Sequence, residues 1–119
     1  MPESLYQRLG GAERIAVIIE DTVDRHAVNP ALAPRFRGKD LPHLKAIATQ
    51  FFCAGSGGPQ RYEGRDMRTT HAGMNISETE LVATIDDVVD ALNAQGVGAA
   101  EANEVVAILY SLKGEVLHG

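Results

Sequence analysis

The side chains most able to bind a metal or to take part in catalysis are one cysteine and four histidines, namely Cys53, His26, His43, His71 and His118. Histidine binds transition metals and exchanges protons near neutral pH, so each histidine is a candidate ligand or base. The sequence has no metal-binding histidine pair, no glycine-rich phosphate loop and no nucleophile elbow. We therefore do not expect a hydrolase or a transferase.

The single cysteine excludes an internal disulfide and any zinc site built from several cysteines. Cys53 lies within an apolar segment, which indicates a small buried hydrophobic residue rather than a reactive thiol.

The charge and the hydropathy pattern exclude two classes of partner. The net charge is −5, the isoelectric point is about 5.3, and the eleven lysines and arginines are scattered, so no extended phosphate-binding surface and no nucleic acid partner are expected. No apolar run approaches the roughly 20 residues of a membrane span, and the N-terminus lacks the features of a signal peptide. The sequence predicts a cytoplasmic protein without a membrane partner.

The elements that must position the candidate residues are helices. The chain has 119 residues, which predicts one domain over residues 1–119. Apolar residues recur at spacings of three and four, without strand-like alternation, so we expect an all-α fold with four substantial helices and two or three short pieces. The first substantial helix should end near Asn29, the second should begin at Asp40, and the third should begin at Ser77 with a capping box. The fourth should begin near Ala99 and continue to Val116.

The segment from Gly55 to Ile76 has little clean periodicity, although it contains Met67 and His71. An irregular stretch of this length is uncommon in a compact domain unless it serves a function. Aromatic residues make up only 5% of the chain and tryptophan is absent, so a ligand could complete the core. A large, flat, apolar cofactor would hold such a segment, and haem is the natural candidate.

The same segment carries a specific motif. Gly57-Gly58-Pro59 is followed by Tyr62, Gly64, Met67 and then His71, four residues after the methionine. This run resembles the proximal segment of the group I truncated haemoglobins. The opening SLYQRLGG and the run Phe36-Arg37-Gly38 are also similar to that family, so the resemblance covers nearly the whole chain.

The resemblance implies a truncated globin-like two-over-two helical sandwich that binds haem b, with His71 as the proximal iron ligand. For an isolated histidine, a surface position would be the better interpretation, but the flanking motif favours the ligand role. The implied haem contacts, each of which alone could be ordinary core, are Phe36, Leu44, Ile47, Ala48, Phe51, Phe52, Met67, Ile76, Leu81, Ile85, Val88 and Ile108. Lys45, Arg65 and Arg68 are candidate partners of the haem propionates, although most isolated basic residues are simply solvated.

The distal side departs from the family pattern. Many group I members have a distal tyrosine on the second helix and a glutamine or histidine on the facing helix. An ungapped alignment places Val23 at the tyrosine position and Leu44, Ile47 and Ala48 at the facing positions, which predicts an apolar pocket. His43 could be a sixth ligand, but we favour a solvent-facing or propionate-contacting position for it. His26 and His118 are expected to be structural or solvated.

The leading hypothesis is a haem globin that binds small gaseous ligands, namely dioxygen, CO and NO, for storage, transport or sensing. Oxidation of NO by bound dioxygen, with the help of a reductase, is a second possibility that the resemblance allows. A haem-free helical interaction module with the globin shape is a third. The colour of the purified protein distinguishes this module from the haem-binding alternatives.

Overall fold

The computed structural model describes residues 3–64 and 66–117, which form eight helices and no strand. Arg65 and His118 lie outside the described residues. The helices are α1 (Leu5–Arg8), α2 (Gly11–Val28), α3 (Ala33–Phe36), α4 (Leu41–Gly55), α5 (Met67–His71), α6 (Glu78–Ala94), α7 (Ala99–Ser111) and α8 (Lys113–Val116). The predicted all-α fold is confirmed. Within the described ranges, no helix is both long enough and apolar enough to cross a membrane.

The second helix is the centre of the packing. α2 lies against both α4 and α6, and α6 packs in turn on α7, which gives the two-over-two sandwich. Burying an aliphatic side chain contributes about 1.5 to 3 kcal/mol, so the buried stripe of α2 contributes much of the stability. This stripe follows the predicted helical spacing and consists of Ile15, Ile18, Ile19, Thr22, Val23 and His26.

The helix ends follow from local sequence. The side chain of Asp40 accepts a hydrogen bond from the backbone N–H of His43, and Ser77 forms a capping box with Glu80, both as predicted. Between α1 and α2, Gly10 has φ of +102°, a left-handed conformation that glycine adopts without strain. The turn between these two helices can therefore be tight.

Two expectations about the irregular regions need correction. The last helix is not continuous to Val116, because α7 ends at Ser111 and is followed by the short α8, which packs on α5. The stretch from Gly55 to Ile76 is not irregular throughout, since it contains α5. This helix begins where the side chain of Asp66 accepts a hydrogen bond from the N–H of Thr69 at 2.8 Å.

The short helix α3 is fastened to α6 by an ion pair between Arg35 and Glu80. Arg35 Nη2 donates to Glu80 Oε1 at 3.0 Å, and this guanidinium is the main reason that the pKa of Glu80 falls to about 2. A carboxylate whose pKa is lower in the folded state than in the unfolded chain stabilises the fold above the unfolded pKa. That stabilisation is lost as the pH falls toward the folded value.

Glu80→Gln should therefore lower the free energy of unfolding by about 1 kcal/mol at neutral pH, the size expected for a partly exposed pair. The difference from the wild type should shrink as the pH falls below about 4.5 and vanish near pH 2. Urea denaturation of both proteins across this range is the test, with the exposed Glu78→Gln variant of the same helical turn as a control for the helix dipole. Parallel pH profiles for the wild type and Glu80→Gln would contradict the expectation.

Candidate functional site

His71 is the last residue of α5 and is half-buried. Its Nδ1 lies 2.8 Å from the carbonyl oxygen of Met67 in the same helix. A carbonyl oxygen can only accept a hydrogen bond, so Nδ1 must carry the proton and donate it. With the proton on Nδ1, Nε2 is the ring nitrogen whose lone pair a neutral imidazole offers to a metal.

The C-terminal part of the chain holds α5 in place. α5 packs on α8, and Ile76 forms an isolated parallel bridge with Leu117. The N–H of Met74 also donates to the carbonyl of His71 at 3.1 Å. Contacts between the segment before α6 and the segment after α7 therefore fix the position of the histidine.

The apolar stripe of α4 is unusual because the described residues bury most of it only in part. Cys53 is fully buried, with 1% exposure, and burial raises the pKa of its thiol, which agrees with the prediction of an inert thiol. The predicted haem contacts on this helix are all half-buried, namely Leu44, Ile47, Ala48, Phe51 and Phe52. A half-exposed apolar face of this kind suits a large, flat, apolar ligand.

Aromatic contacts connect α4 to the segment that leads to α5. The rings of Phe51 and Tyr62 meet edge to face with centroids 5.3 Å apart, and Phe51 meets Phe52 in the same way at 5.9 Å. The N–H of Glu63 lies 3.4 Å from Oε1 of Gln50. The segment that carries the motif is thus held against the last turns of α4.

The predicted contact residues fall into two groups. Ile76, Leu81, Ile85 and Val88 are buried, whereas Phe36, Met67 and Ile108 are half-buried, like the residues of α4. Two small apolar cavities lie in the core, one beside Phe51, Phe52 and Ile108 and the other beside Phe52 and Val88. Neither of these two cavities is lined by His71, so Phe52, Val88 and Ile108 belong at least partly to the core of the sandwich.

The side chains at the predicted distal positions are apolar, and nearby hydroxyl groups are already engaged. Val23 is 5% exposed and packs in the core cluster. The hydroxyl of its neighbour Thr22 donates to the carbonyl of Ile18 at 2.8 Å, and that of Thr49 donates to the carbonyl of Lys45 at 2.7 Å. The protons of both hydroxyls are thus engaged within their own helices.

The basic residues near the site are only partly placed as the sequence suggested. Lys45 Nζ lies 2.8 Å from Oδ1 of Asp24, which raises the pKa of the lysine, so its ammonium has a carboxylate partner within the protein. Arg68 is exposed, and Arg65 is outside the described residues. His43 is exposed at the start of α4, in agreement with the solvent-facing interpretation.

A buried polar group that sequence reasoning did not identify lies between α2 and α6. His26 Nδ1 is 2.8 Å from Oδ2 of Asp87, and Asn29 Nδ2 donates to both oxygens of the same carboxylate. Burial lowers the pKa of His26, while the Asp87 carboxylate opposes this effect. The only signals in the sequence are the positions of His26 and Asp87 on otherwise apolar helix faces, and the structural interpretation of His26 is confirmed.

The residues present fit a haem. Through Nε2, the imidazole of His71 would hold the iron, and the partly exposed apolar face of α4 would supply the surface that a porphyrin needs. Among the described residues, no cluster of three or more histidine, cysteine or acidic side chains could hold a bare metal ion.

Comparison with known proteins agrees with this geometry. The family model described as "Bacterial-like globin" matches residues 4–118. The Group 1 truncated hemoglobin GlbN of Mycolicibacterium paratuberculosis is 31% identical over 118 residues, which cover 99% of this chain and 87% of that protein. The GlbN of Nostoc sp. is 31% identical over 119 residues, which cover 97% and 98%.

Solved structures show the same fold. The truncated hemoglobin from Tetrahymena pyriformis in its Fe(III) form matches with a TM-score of 0.95 at 24% identity, covering 98% of this chain and 100% of that one. The 2/2 hemoglobin from Synechococcus sp. PCC 7002, in the cyanomet state and with covalently attached heme, matches with a TM-score of 0.89 at 26% identity, covering 97% and 98%. The chain belongs to the bacterial-like globin family and is a group I truncated, two-over-two haemoglobin.

Proposed function

We propose that this globin binds haem through His71 and reversibly binds dioxygen, CO and NO at the iron. The observation that carries the proposal is the 2.8 Å hydrogen bond from His71 Nδ1 to the carbonyl of Met67, which leaves Nε2 available as a ligand. Bound haem iron supplies an open coordination position for a diatomic molecule. The chain supplies the axial imidazole, the apolar surface and the exclusion of water.

The proposal includes an unusually apolar distal pocket around Val23, Leu44 and Ala48. Its support is the burial of Val23 and the engagement of the Thr22 and Thr49 hydroxyls with backbone carbonyls. Without a donor, the pocket does not stabilise polarised dioxygen, so we expect fast dioxygen release and comparatively good binding of CO and NO. An NO dioxygenase, which must retain dioxygen until NO arrives, is less well supported than simple ligand binding.

We further propose that the cofactor is haem b, held without a covalent bond. The solved Synechococcus relative carries covalently attached heme, so the two modes of attachment need to be separated by experiment. Extraction with acidified acetone removes a haem that is held only by coordination and packing. A cytoplasmic location and a reductase that keeps the iron ferrous complete the proposal.

Titration of the purified chain with hemin tests the cofactor directly. We expect a saturable Soret band at one haem per chain, a shift of that band on reduction and a further shift with CO. The extracted pigment should be unmodified protoporphyrin. A chain that leaves the free-hemin spectrum unchanged and is colourless after gel filtration would instead support the haem-free interaction module.

A further inference from the structure

Asp87 is an acidic residue in the interior of the sandwich, with 8% exposure. Its Oδ2 lies 2.8 Å from His26 Nδ1, and Asn29 Nδ2 reaches Oδ1 and Oδ2 at 3.3 and 3.2 Å. A buried carboxylate is costly to desolvate unless such partners compensate it. These contacts tie the C-terminal end of α2 to the middle of α6.

Both hydrogen-bond partners of Asp87, His26 and Asn29, also contact α3 or the turn before it. The imidazole of His26 lies against the ring of Phe36, with centroids 5.5 Å apart and planes tilted by 39°. Asn29 shapes the turn before α3, because its backbone carbonyl accepts from the N–H groups of Leu32 and Ala33 at 2.9 and 2.7 Å. Its side-chain oxygen accepts from the N–H of Ala31 at 3.0 Å.

Phe36 is only half-buried, so its position depends on these contacts rather than on close packing from all sides. The ion pair between Arg35 and Glu80 fixes the same short helix to the first turn of α6. The ring of Phe36 itself is contacted by the imidazole of His26, which is hydrogen-bonded to Asp87.

We propose that Asp87 is a positioning residue that sets the location of the Phe36 ring through His26 and Asn29, and thereby the shape of the ligand pocket. The effect on the pocket rests on the proposed function, in which Phe36 contacts the haem. The effect on the ring position is independent of the proposed function, since every contact that links Asp87 to Phe36 lies within the protein.

Ring-labelled phenylalanine provides the readout. The chain has three phenylalanines, so ¹³C labels on their rings give three resolvable sets of NMR signals in the CO-bound protein, which Phe36→Leu assigns. We expect Asp87→Leu to shift the Phe36 signals and to change the CO association rate, while the Phe51 and Phe52 signals stay in place. Asp87→Asn keeps an acceptor for His26 Nδ1–H and should shift the Phe36 signals much less.

Asp86→Asn is the matched control, because it removes the same charge from the exposed neighbouring position of α6. It should change neither the Phe36 signals nor the CO rate. If Asp87→Leu does not fold, Asn29→Asp is the second variant, since it keeps the acceptor for the N–H of Ala31 but removes the donor to Asp87 and changes no ring beside Phe36. The Phe36 signals should shift in this variant as well.

Unchanged Phe36 signals in a folded Asp87→Leu or Asn29→Asp protein would overturn the proposal, and so would equal shifts at all three phenylalanines, which indicate general loosening. Repeating the NMR comparison of these variants in haem-free protein separates the test of the positioning role from the test of haem binding. A chain that binds no haem would refute the proposed function, whereas Phe36 signals that ignore Asp87 would refute the positioning role.

Discussion

His71→Ala is expected to lower haem affinity by at least about a hundredfold and to abolish the spectrum of a histidine-ligated globin. Loss of the group that hydrogen-bonds to a metal ligand typically costs about 10- to 100-fold in metal affinity, so loss of the ligand itself should cost more. Packing against the apolar face of α4 would still retain some haem, without the axial bond. Hemin titration followed at the Soret band measures both the affinity and the ligation state.

Two variants make this test specific. His43→Ala removes an exposed histidine from α4 and should leave the affinity and the spectrum unchanged. His71→Gly opens space at the ligand position, so added imidazole should restore the spectrum. Equal affinity and identical spectra for the wild type and His71→Ala would show that another group holds the iron.

Val23→Tyr is expected to slow dioxygen dissociation by roughly ten- to a hundredfold. A phenol hydroxyl at this position on α2 could donate a hydrogen bond to dioxygen in the pocket, and a hydrogen bond to a group with charge contributes about 1.5 to 3 kcal/mol. CO carries little charge on its outer atom, so its dissociation should change much less. Stopped-flow displacement of dioxygen by CO gives the rate.

The control is Val23→Phe, which adds the same ring without the hydroxyl. Val23 is buried, so the larger side chain carries a packing cost that both variants share. Leu44→Gln introduces an amide donor from the half-buried face of α4 at a smaller packing cost. If Val23→Tyr and Val23→Phe release dioxygen equally fast and Leu44→Gln releases it like the wild type, these positions do not line the ligand pocket.

The helices were predictable because their determinants are local. Residues close together in the sequence determine the apolar stripe of α2, the Asp40 cap and the Ser77–Glu80 capping box. The break at Leu112 was not predictable in this way. The apolar spacing continues from Ile108 to Val116, and what redirects the chain is the packing of α8 on α5, a tertiary contact.

The candidate site shows the same division. His71 was found from the motif around it, and its hydrogen bond spans only four residues. The pairing of His26 with Asp87 spans 61 residues and was missed, because a single sequence does not show which helix faces meet. The ion pair of Lys45, one of the candidate propionate partners, with Asp24 on the helix packed against α4 was not predictable for the same reason.

The proposed bond between the His71 imidazole and iron is tested directly by resonance Raman spectroscopy of the ferrous, ligand-free protein reconstituted with haem. An iron–histidine stretching band should be present in the wild type, should move to lower frequency when the histidines are labelled with ¹⁵N, and should be lost in His71→Ala. A band that persists unchanged in His71→Ala, or a wild-type protein without such a band, would contradict the assignment of His71 as the proximal ligand.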